Sequence, residues 1–160
     1  MERQVQLKKS MDRALEEAFR TLRENVRFKG DNNRVIPITS CFENEGKSTI
    51  AYNLACSLAD SGAKTAYVDM DLRKATLNSF VILSGHWKGV SNYLSGMATL
   101  EEIVLPSEKN RLHFVFSGTK PPNPAELLNT SAVPELFRSL KEQFDYVIVD
   151  TPPLGMIIDS

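Results

Sequence analysis

The strongest constraint on the fold is a short polar loop placed between an apolar run and a helical pattern. Residues 35–38 are apolar, residues 39–49 read Thr-Ser-Cys-Phe-Glu-Asn-Glu-Gly-Lys-Ser-Thr, and apolar residues from Ile50 onwards recur with helical spacing. Backbone N–H groups of such a loop and the N-terminus of the next helix attract phosphate oxygens. Gly46 leaves room for a phosphate, Lys47 reaches its outer oxygens, and the Ser48 hydroxyl suits Mg²⁺. The segment therefore predicts a strand–loop–helix unit that binds phosphate.

The loop departs from the standard phosphate-binding pattern at its first position. That pattern has glycine five residues before Gly46, where this chain has Cys41. A simpler interpretation is that Gly46, Lys47 and Ser48 only begin a helix, with Ser48 as a polar residue near its N-terminus. In either case we expect Lys47 to be an exposed loop residue that contributes little to the core.

The composition is that of an ordinary globular domain. The chain has 160 residues, of which 42% are apolar and 24% are charged, and its net charge is −1. This length suits one domain with a sizeable core, and the net charge excludes an overall nucleic-acid footprint. No apolar run approaches the length of a membrane span, and no signal peptide is visible. Cys41 and Cys56 lack disulfide or metal spacing, which favours a reducing, cytosolic compartment.

Two further apolar segments end in carboxylates. Asp69 closes the first, and Asp71 follows two positions later, so both side chains face the same side of an extended chain. Asp150 closes the second segment in the same way. Ligands of open α/β sheets bind at the carboxyl ends of the strands, where these carboxylates would meet. The simpler alternatives are that Asp69 caps a turn, that Asp71 pairs with Arg73, and that Asp150 only ends its strand.

The remaining pattern indicates alternating strands and helices. An N-terminal helix is predicted over about 11–28 from the helical spacing of Leu15, Phe19, Leu22 and Val26. Strands are expected near residues 35–39, 65–69, 112–116 and 145–150. Pro37 cannot donate to a sheet ladder, so we expect a local irregularity in the first strand. We interpret His86, Trp87 and His113 as packing or surface residues.

The ordered set of motifs resembles the cytoplasmic domain of the bacterial tyrosine kinases that regulate capsular and exopolysaccharide synthesis. The resemblance is carried by residues 17–25, 46–49, 68–73, 121–128 and 144–153. It implies an α/β P-loop NTPase fold related to the MinD/ParA ATPases, with a mostly parallel sheet flanked by helices on both faces. It also implies a single kinase domain over residues 1–160, with the N-terminal helix at about 11–28 and the nucleotide-binding core at about 34–160. The implied function is that of an ATP-dependent protein-tyrosine autokinase.

The resemblance implies a role for each site residue. Lys47, Asp69 and Asp71 would be catalytic, with Lys47 neutralising phosphate charge and Asp69 acting as base or positioner for the acceptor tyrosine. Mg²⁺ would be held by Ser48, Asp71 and Asp150. ATP would contact Arg73 and the loop residues Glu43, Asn44, Glu45, Gly46, Lys47, Ser48 and Thr49.

Partners and location also follow from the resemblance. Glu17, Arg20 and Arg23 match the Glu-x-x-Arg-x-x-Arg helix of these kinases, which is implicated in self-association into a ring. A membrane polysaccharide co-polymerase would be the activator, recruiting a cytoplasmic protein to the inner face of the cell membrane. These kinases finish in a tyrosine-rich tail, whereas this chain has only four tyrosines and stops at Ser160. We therefore expect the domain to be incomplete at its C-terminus, with negligible autophosphorylation by these 160 residues.

Two other functions fit the same motifs. A MinD/ParA-like ATPase switch would bind a membrane or scaffold partner, but Phe42 stands where the signature lysine of that group would fall. A nucleotide-binding or interaction module without catalysis is favoured by Glu43, which places a negative charge near the phosphates. Glu43 and Asn44 replace the usual Pro-Gly of the tyrosine kinases, and Asn44 tolerates a left-handed backbone better than most residues.

Overall fold

A computed structural model describes residues 4–8 and 11–153 of the chain. From the sequence we also expect the start of a helix after the last strand, at residues 154–158, and these residues lie outside the described ones. In chain order the elements are β1 (Gln6–Leu7), α1 (Arg13–Phe28), β2 (Val35–Ile38), α2 (Lys47–Asp60), β3 (Thr65–Asp69), a 3-10 helix (Leu77–Ser79), β4 (Val81–Ile82), α3 (Val90–Leu94), α4 (Leu100–Ile103), β5 (Leu105–Pro106), β6 (Leu112–Val115), α5 (Pro124–Leu128), α6 (Ala132–Gln143) and β7 (Tyr146–Asp150). Across these residues, no helix is both long and apolar enough to span a membrane.

The centre of the molecule is a five-stranded sheet with the order β2–β7–β3–β6–β5. The first four of these strands are parallel, and β5 joins β6 antiparallel at one edge. Parallel strands need crossover connections, which helices such as α2 and α6 supply before β3 and β7. All four strands predicted from the sequence are present, within one residue of the expected bounds. The mostly parallel α/β fold is therefore confirmed.

Pro37 lies in β2 without the irregularity expected of it. β2 pairs with β7 in unbroken parallel register over all four residues. The carbonyls of Arg34 and Ile38 accept the N–H groups of Val147 and Thr151. Alternate residues face the partner in a parallel ladder, so the position of the missing Pro37 N–H points away from β7. The expectation of an irregular strand is wrong because β2 is an edge strand among the described residues.

Alternate residues of the strands enter two cores, one on each face of the sheet. Tyr67 and Ile148 join the core that contains α2 and Phe19 of α1. Val68 and Val147 join the other core, which contains buried residues of α3 and α6. Because side chains alternate across a strand, each layer of helices covers one set. Helices on both faces are therefore confirmed as well.

Helix α1 packs through only part of its predicted apolar stripe. The Asp12 carboxylate accepts the N–H of Leu15 at 2.9 Å, which begins the helix two residues later than expected. Phe19 is buried and Val26 is half-buried, whereas Leu15 and Leu22 remain 38% and 36% exposed. Only the side of the helix that contains Phe19 and Val26 therefore meets the core.

The segment before α1 docks beside β5, at the edge of the central sheet, which the sequence did not predict. β1 pairs antiparallel with β4, and the Val5 N–H donates to the Pro106 carbonyl at 2.9 Å. Val5 is fully buried, and Lys8 Nζ donates to the Asn78 carbonyl at 2.6 Å. A strand of two residues is too short to give a periodic signal.

Candidate functional site

The loop between β2 and α2 turns through two left-handed residues. Asn44 has a φ of 61° and Gly46 has a φ of 82°. A Cβ disfavours this conformation, and Gly and Asn adopt it at the lowest cost. Lys47 is the first residue of α2 and follows at once. Asn44 therefore has the backbone conformation that its side-chain type allows.

The Glu45 carboxylate folds back onto the start of its own loop. Its Oε2 accepts the backbone N–H of Cys41 at 3.0 Å and that of Phe42 at 3.3 Å. Ser40 Oγ braces the same turn by donating to the Phe42 carbonyl at 2.9 Å. The Glu45 carboxylate therefore satisfies N–H groups within the loop, and the contact of Glu45 with ATP stays a prediction.

Among residues 4–8 and 11–153, four side chains converge on the carboxylate of Asp150. Lys47 Nζ forms an ion pair with Oδ1. Oδ2 accepts hydrogen bonds from Ser48 Oγ at 2.7 Å, Tyr67 OH at 2.7 Å and Thr76 Oγ1 at 3.2 Å. Asp150 is fully buried, and a buried charge needs such partners. The loop, β3 and β7 therefore meet at one carboxylate.

Lys47 is buried, which corrects the expectation of an exposed loop lysine. The residue is only 8% exposed. It lies in the first turn of α2, which packs against β2 and β7, so its ammonium reaches over the sheet edge to Asp150. Removing one partner of a buried ion pair leaves the other charge uncompensated. Lys47 therefore supports the fold as well as the site.

Asp69 lies beside Asp150 at the same edge of the sheet, as its register partner on the adjacent strand. Its Oδ1 accepts the Asp71 N–H at 3.0 Å, while Oδ2 is buried with no hydrogen-bond partner among the described residues. Burial raises the pKa of Asp69 to about 7; the Asp71 N–H opposes this rise, and the charge of Asp150 adds to it. A carboxyl with a pKa near neutrality is suited to proton transfer.

Asp71 organises the turn that follows β3. Its Oδ1 accepts the backbone N–H groups of Arg73 at 3.2 Å and Lys74 at 3.1 Å. Asp71 and Lys74 both line the cleft over the sheet edge, whereas Arg73 is not among the residues that line it. Lys74, which the sequence analysis did not select, is therefore the basic residue that this turn contributes to the cleft.

The cleft at this edge has a volume of about 300 Å³ and brings together most of the predicted site. The predicted residues that line it are Glu43, Asn44, Gly46, Lys47, Ser48, Thr49 and Asp71. The residues that sequence reasoning missed are Ser40, Lys74, Thr76, Ser79, Phe80 and Pro153. Most of the missed residues lie in irregular segments, where no periodic signal marks them.

The three residues matched to a self-association helix differ in exposure. Glu17 and Arg20 are exposed on α1. The Arg23 side chain is only 14% exposed, and its Nη1 donates to the Ser57 carbonyl at 2.9 Å and to Ser57 Oγ at 3.3 Å. Arg23 therefore ties α1 to α2 within one chain, and Glu17 and Arg20 are the members of the set that face solvent.

A second cavity, of about 420 Å³, lies near the end of β6. His86 and Trp87 line it, together with residues of the 3-10 segment and of the chain after β6. Trp87 Nε1 donates to the Ser84 carbonyl at 2.7 Å. His113 is half-buried elsewhere, edge-on to Phe144 with the ring centroids 5.1 Å apart.

The groups around Asp150 fit Mg²⁺ in the company of a phosphate ligand. Ser48 offers a hydroxyl next to Asp150, and Asp71 adds a second carboxylate to the cleft. Across residues 4–8 and 11–153, no group of three or more His, Cys, Asp or Glu side chains is placed to hold a metal ion. Mg²⁺ commonly uses one or two carboxylates, waters and substrate phosphates rather than an all-protein cage.

Comparison with known proteins identifies relatives over most of the chain. A family model described as AAA domain matches residues 33–160. Tyrosine-protein kinase CpsD of Streptococcus agalactiae is 42% identical over 145 residues, which cover 91% of this chain and 63% of CpsD. Tyrosine-protein kinase YwqD of Bacillus subtilis (strain 168) is 37% identical over 146 residues, covering 90% of this chain and 61% of YwqD. The chain thus spans a little under two thirds of the length of these relatives.

Solved structures of related proteins have the same fold. The crystal structure of the chimerical protein CapA2B2 superposes with a TM-score of 0.81 at 38% identity, covering 89% of this chain and 63% of that one. The septum site-determining protein MinD of Pyrococcus horikoshii, complexed with Mg-ADP, gives a TM-score of 0.63 at 26% identity. The match covers 75% of this chain and 49% of the MinD chain. The P-loop fold implies nucleotide binding. The chain belongs to the AAA-domain family of P-loop proteins, in the group that includes the bacterial tyrosine-protein kinases.

Proposed function

We propose that this chain is the ATP-dependent tyrosine kinase domain of a system that regulates capsular or exopolysaccharide synthesis and export. The observation that carries the proposal is the convergence of Lys47, Ser48 and Thr76 on Asp150, beside Asp69, at the C-terminal edge of a parallel sheet. Phosphoryl transfer depends on positioning and charge neutralisation more than on a covalent nucleophile. The names of the relatives CpsD and YwqD support the same activity.

ATP would occupy the cleft with its phosphates over the N-terminus of α2. Backbone N–H groups and the positive end of the helix dipole attract phosphate there. Lys47 would exchange the Asp150 carboxylate for the β- and γ-phosphate oxygens. Glu43 and Lys74 line the same cleft, so the negative charge of one opposes phosphate binding and the positive charge of the other favours it.

Asp69 would take the proton of the acceptor tyrosine. Its Oδ2 is the buried oxygen without a partner among the described residues, and this oxygen accepts the phenolic proton. The phenolic oxygen bonds to the γ-phosphorus as the bond from that phosphorus to the oxygen of ADP breaks. Asp71 holds the turn after β3 in place through the Arg73 and Lys74 N–H groups. The products are phosphotyrosine and ADP.

Mg²⁺ would be held by Ser48, with Asp71 and Asp150 in its shell. When bound there it neutralises charge on the phosphates. The Ser48 hydroxyl donates a hydrogen bond to Asp150 Oδ2 at 2.7 Å, which leaves the lone pairs of its oxygen available to a cation.

We further propose that the whole protein self-associates into a ring and is recruited to the inner face of the cell membrane. Exposed Glu17 and Arg20 on α1 are the contacts available to a neighbouring subunit. A polysaccharide co-polymerase in the membrane would be the activator. These properties belong to the whole protein, since the chain spans 63% of the length of its relative CpsD.

The kinase activity is tested on the whole protein, with ATP labelled at its γ-phosphate, Mg²⁺ and a tyrosine-containing polymer as acceptor. Label on tyrosine supports the proposal. Free phosphate alone indicates a MinD-like ATPase, and neither product indicates a binding module without catalysis.

A matched pair of lysine variants assigns the activity to this site. Lys47→Met should abolish labelling, whereas Lys88→Met should retain it, because Lys88 is an exposed lysine that pairs with Glu102 at 3.2 Å and is not among the residues lining the cleft. Circular dichroism of both variants shows whether they are folded. Equal labelling by the two variants would reject the site.

A further inference from the structure

We propose that Tyr67 is a positioning residue that aims the Asp150 carboxylate at Ser48 and so sets the Mg²⁺ requirement of nucleotide binding. The inference rests on the proposed function, because it concerns the same nucleotide site. Tyr67 is not among the residues that line the cleft. It acts on the site only through Asp150.

The geometry that places Tyr67 follows from the register of two strands. Tyr67 on β3 is paired with Ile148 on β7, two residues before Asp150. Residues two apart on a strand share a face, so the Tyr67 ring and the Asp150 carboxylate lie on the same side of the sheet. The long phenol spans that offset, and its OH reaches Asp150 Oδ2 at 2.7 Å.

The orientation of Asp150 depends on its partners, because the terminal torsion of an aspartate is soft. Lys47 draws Oδ1 in one direction, while Tyr67, Ser48 and Thr76 share Oδ2. Tyr67 is fully buried, so its OH meets no solvent that could compete with Asp150.

A second buried tyrosine shows that packing alone does not explain this contact. Tyr52 lies in the same core and is only 4% exposed, yet its OH makes no hydrogen bond to Asp150. Both rings pack near Phe114, with centroid separations of 6.3 Å for Tyr52 and 5.9 Å for Tyr67. Tyr52 therefore shares the buried aromatic packing but lacks the contact with Asp150, which makes it a control for Tyr67.

Loss of the Tyr67 hydroxyl should weaken the metal-dependent part of nucleotide binding. Groups that hydrogen-bond to a metal ligand without contacting the metal contribute about 10–100-fold to metal affinity. Tyr67 is one of three donors to the same oxygen, so we expect the lower end of that range, about tenfold.

The experiment measures ADP binding by calorimetry in EDTA and over a series of Mg²⁺ concentrations, for the unmodified chain, Tyr67→Phe and Tyr52→Phe. Tyr67→Phe should raise the Mg²⁺ concentration for half-maximal binding about tenfold, with the affinity in EDTA unchanged. Tyr52→Phe should match the unmodified chain in both conditions. If Tyr67→Phe does not fold, Thr76→Val removes another donor to Oδ2 and should shift the Mg²⁺ requirement in the same direction.

Three results overturn the inference. An unchanged Mg²⁺ requirement in the folded variant shows that Tyr67 does not position Asp150. An equal loss of affinity with and without Mg²⁺ shows general damage to the site. If the unmodified chain binds ADP neither in EDTA nor with Mg²⁺, the nucleotide site itself is rejected, and with it the proposed function.

Discussion

At the scale of single residues, the Lys47–Asp150 ion pair joins stability to function. Both residues are buried, and Lys47 would have to leave this partner to reach a phosphate. A buried charge that loses its partner is costly, whereas removal of both charges is often close to neutral. Each of the two charges therefore depends on the other in the folded chain before any ligand binds.

Lys47→Met should lower the free energy of unfolding by roughly 3–5 kcal/mol, because Asp150 keeps its charge without a cation. Adding Asp150→Asn in the same chain should restore part of that loss, since the uncompensated charge is removed. Urea denaturation of the two single variants and the double variant measures the coupling. Strictly additive losses would show that the ion pair contributes no coupling energy.

Spacing in the sequence predicted which residues could form the site, but not how they would be connected. Lys47, Ser48, Asp69 and Asp150 stand at the ends of predicted elements, and parallel strands bring such ends to one edge. The contact of Tyr67 with Asp150 was not predicted, because the pattern of an apolar strand does not show whether a tyrosine hydroxyl meets a carboxylate. The burial of Lys47 was missed because it depends on how closely α2 packs against the strands.

At the scale of elements, α1 is attached to α2 by Arg23 and by the apolar side chains of Phe19 and Val26. Arg23 donates to the last turns of α2 through Ser57, and Phe19 enters the core beside it. Periodicity predicted the helix and its C-terminal end correctly. It could not separate Phe19 from Leu15, since both fit the stripe and only the path of α2 decides which one is covered.

Arg23→Ala should destabilise the chain by about 1–2 kcal/mol, because a mostly buried charged donor to a carbonyl is lost. Arg20→Ala on the exposed face of the same helix should change stability by no more than about 0.5 kcal/mol. Thermal unfolding of both variants is the measurement. Equal effects would show that the Ser57 contact does not hold α1 in solution.

His113 on β6 should make stability depend on pH. Burial lowers the pKa of His113, and nearby Lys64 lowers it further. The folded chain therefore binds fewer protons at this residue than the unfolded chain does. In the unfolded chain the pKa of a histidine is about 6.5. Above that pH His113 does not lower the free energy of unfolding, and as the pH falls below it the free energy of unfolding decreases.

His113→Gln should therefore flatten the fall in unfolding free energy between about pH 7 and pH 5, whereas exposed His86→Gln should keep it. Asp69 titrates in the same window with the opposite sign, because its raised pKa favours the folded state as the pH falls. The comparison is therefore made between the variants and the unmodified chain. Parallel curves for all three proteins would exclude His113 as the source.

At the scale of the whole molecule, one sheet serves two cores. β3, β6 and β7 each contribute residues to the core under α2 and to the core under α6. A change in one core is therefore transmitted to the other through the shared strands, and the chain should unfold in a single cooperative step. The sequence predicted helices on both faces but not the docking of β1 across β4, which depends on contacts distant in the chain.

Leu136→Ala tests this cooperativity from the side opposite to the only tryptophan. Leu136 is fully buried in the core under α6, whereas Trp87 packs at the border of the other core. A leucine-to-alanine change in a core costs about 2–5 kcal/mol, so the urea midpoint should fall. Trp87 fluorescence and far-UV circular dichroism should report the same lower midpoint, while Leu22→Ala on the exposed side of α1 should leave both nearly unchanged. A fluorescence midpoint that stays in place while the dichroism midpoint falls would show that the two faces unfold independently.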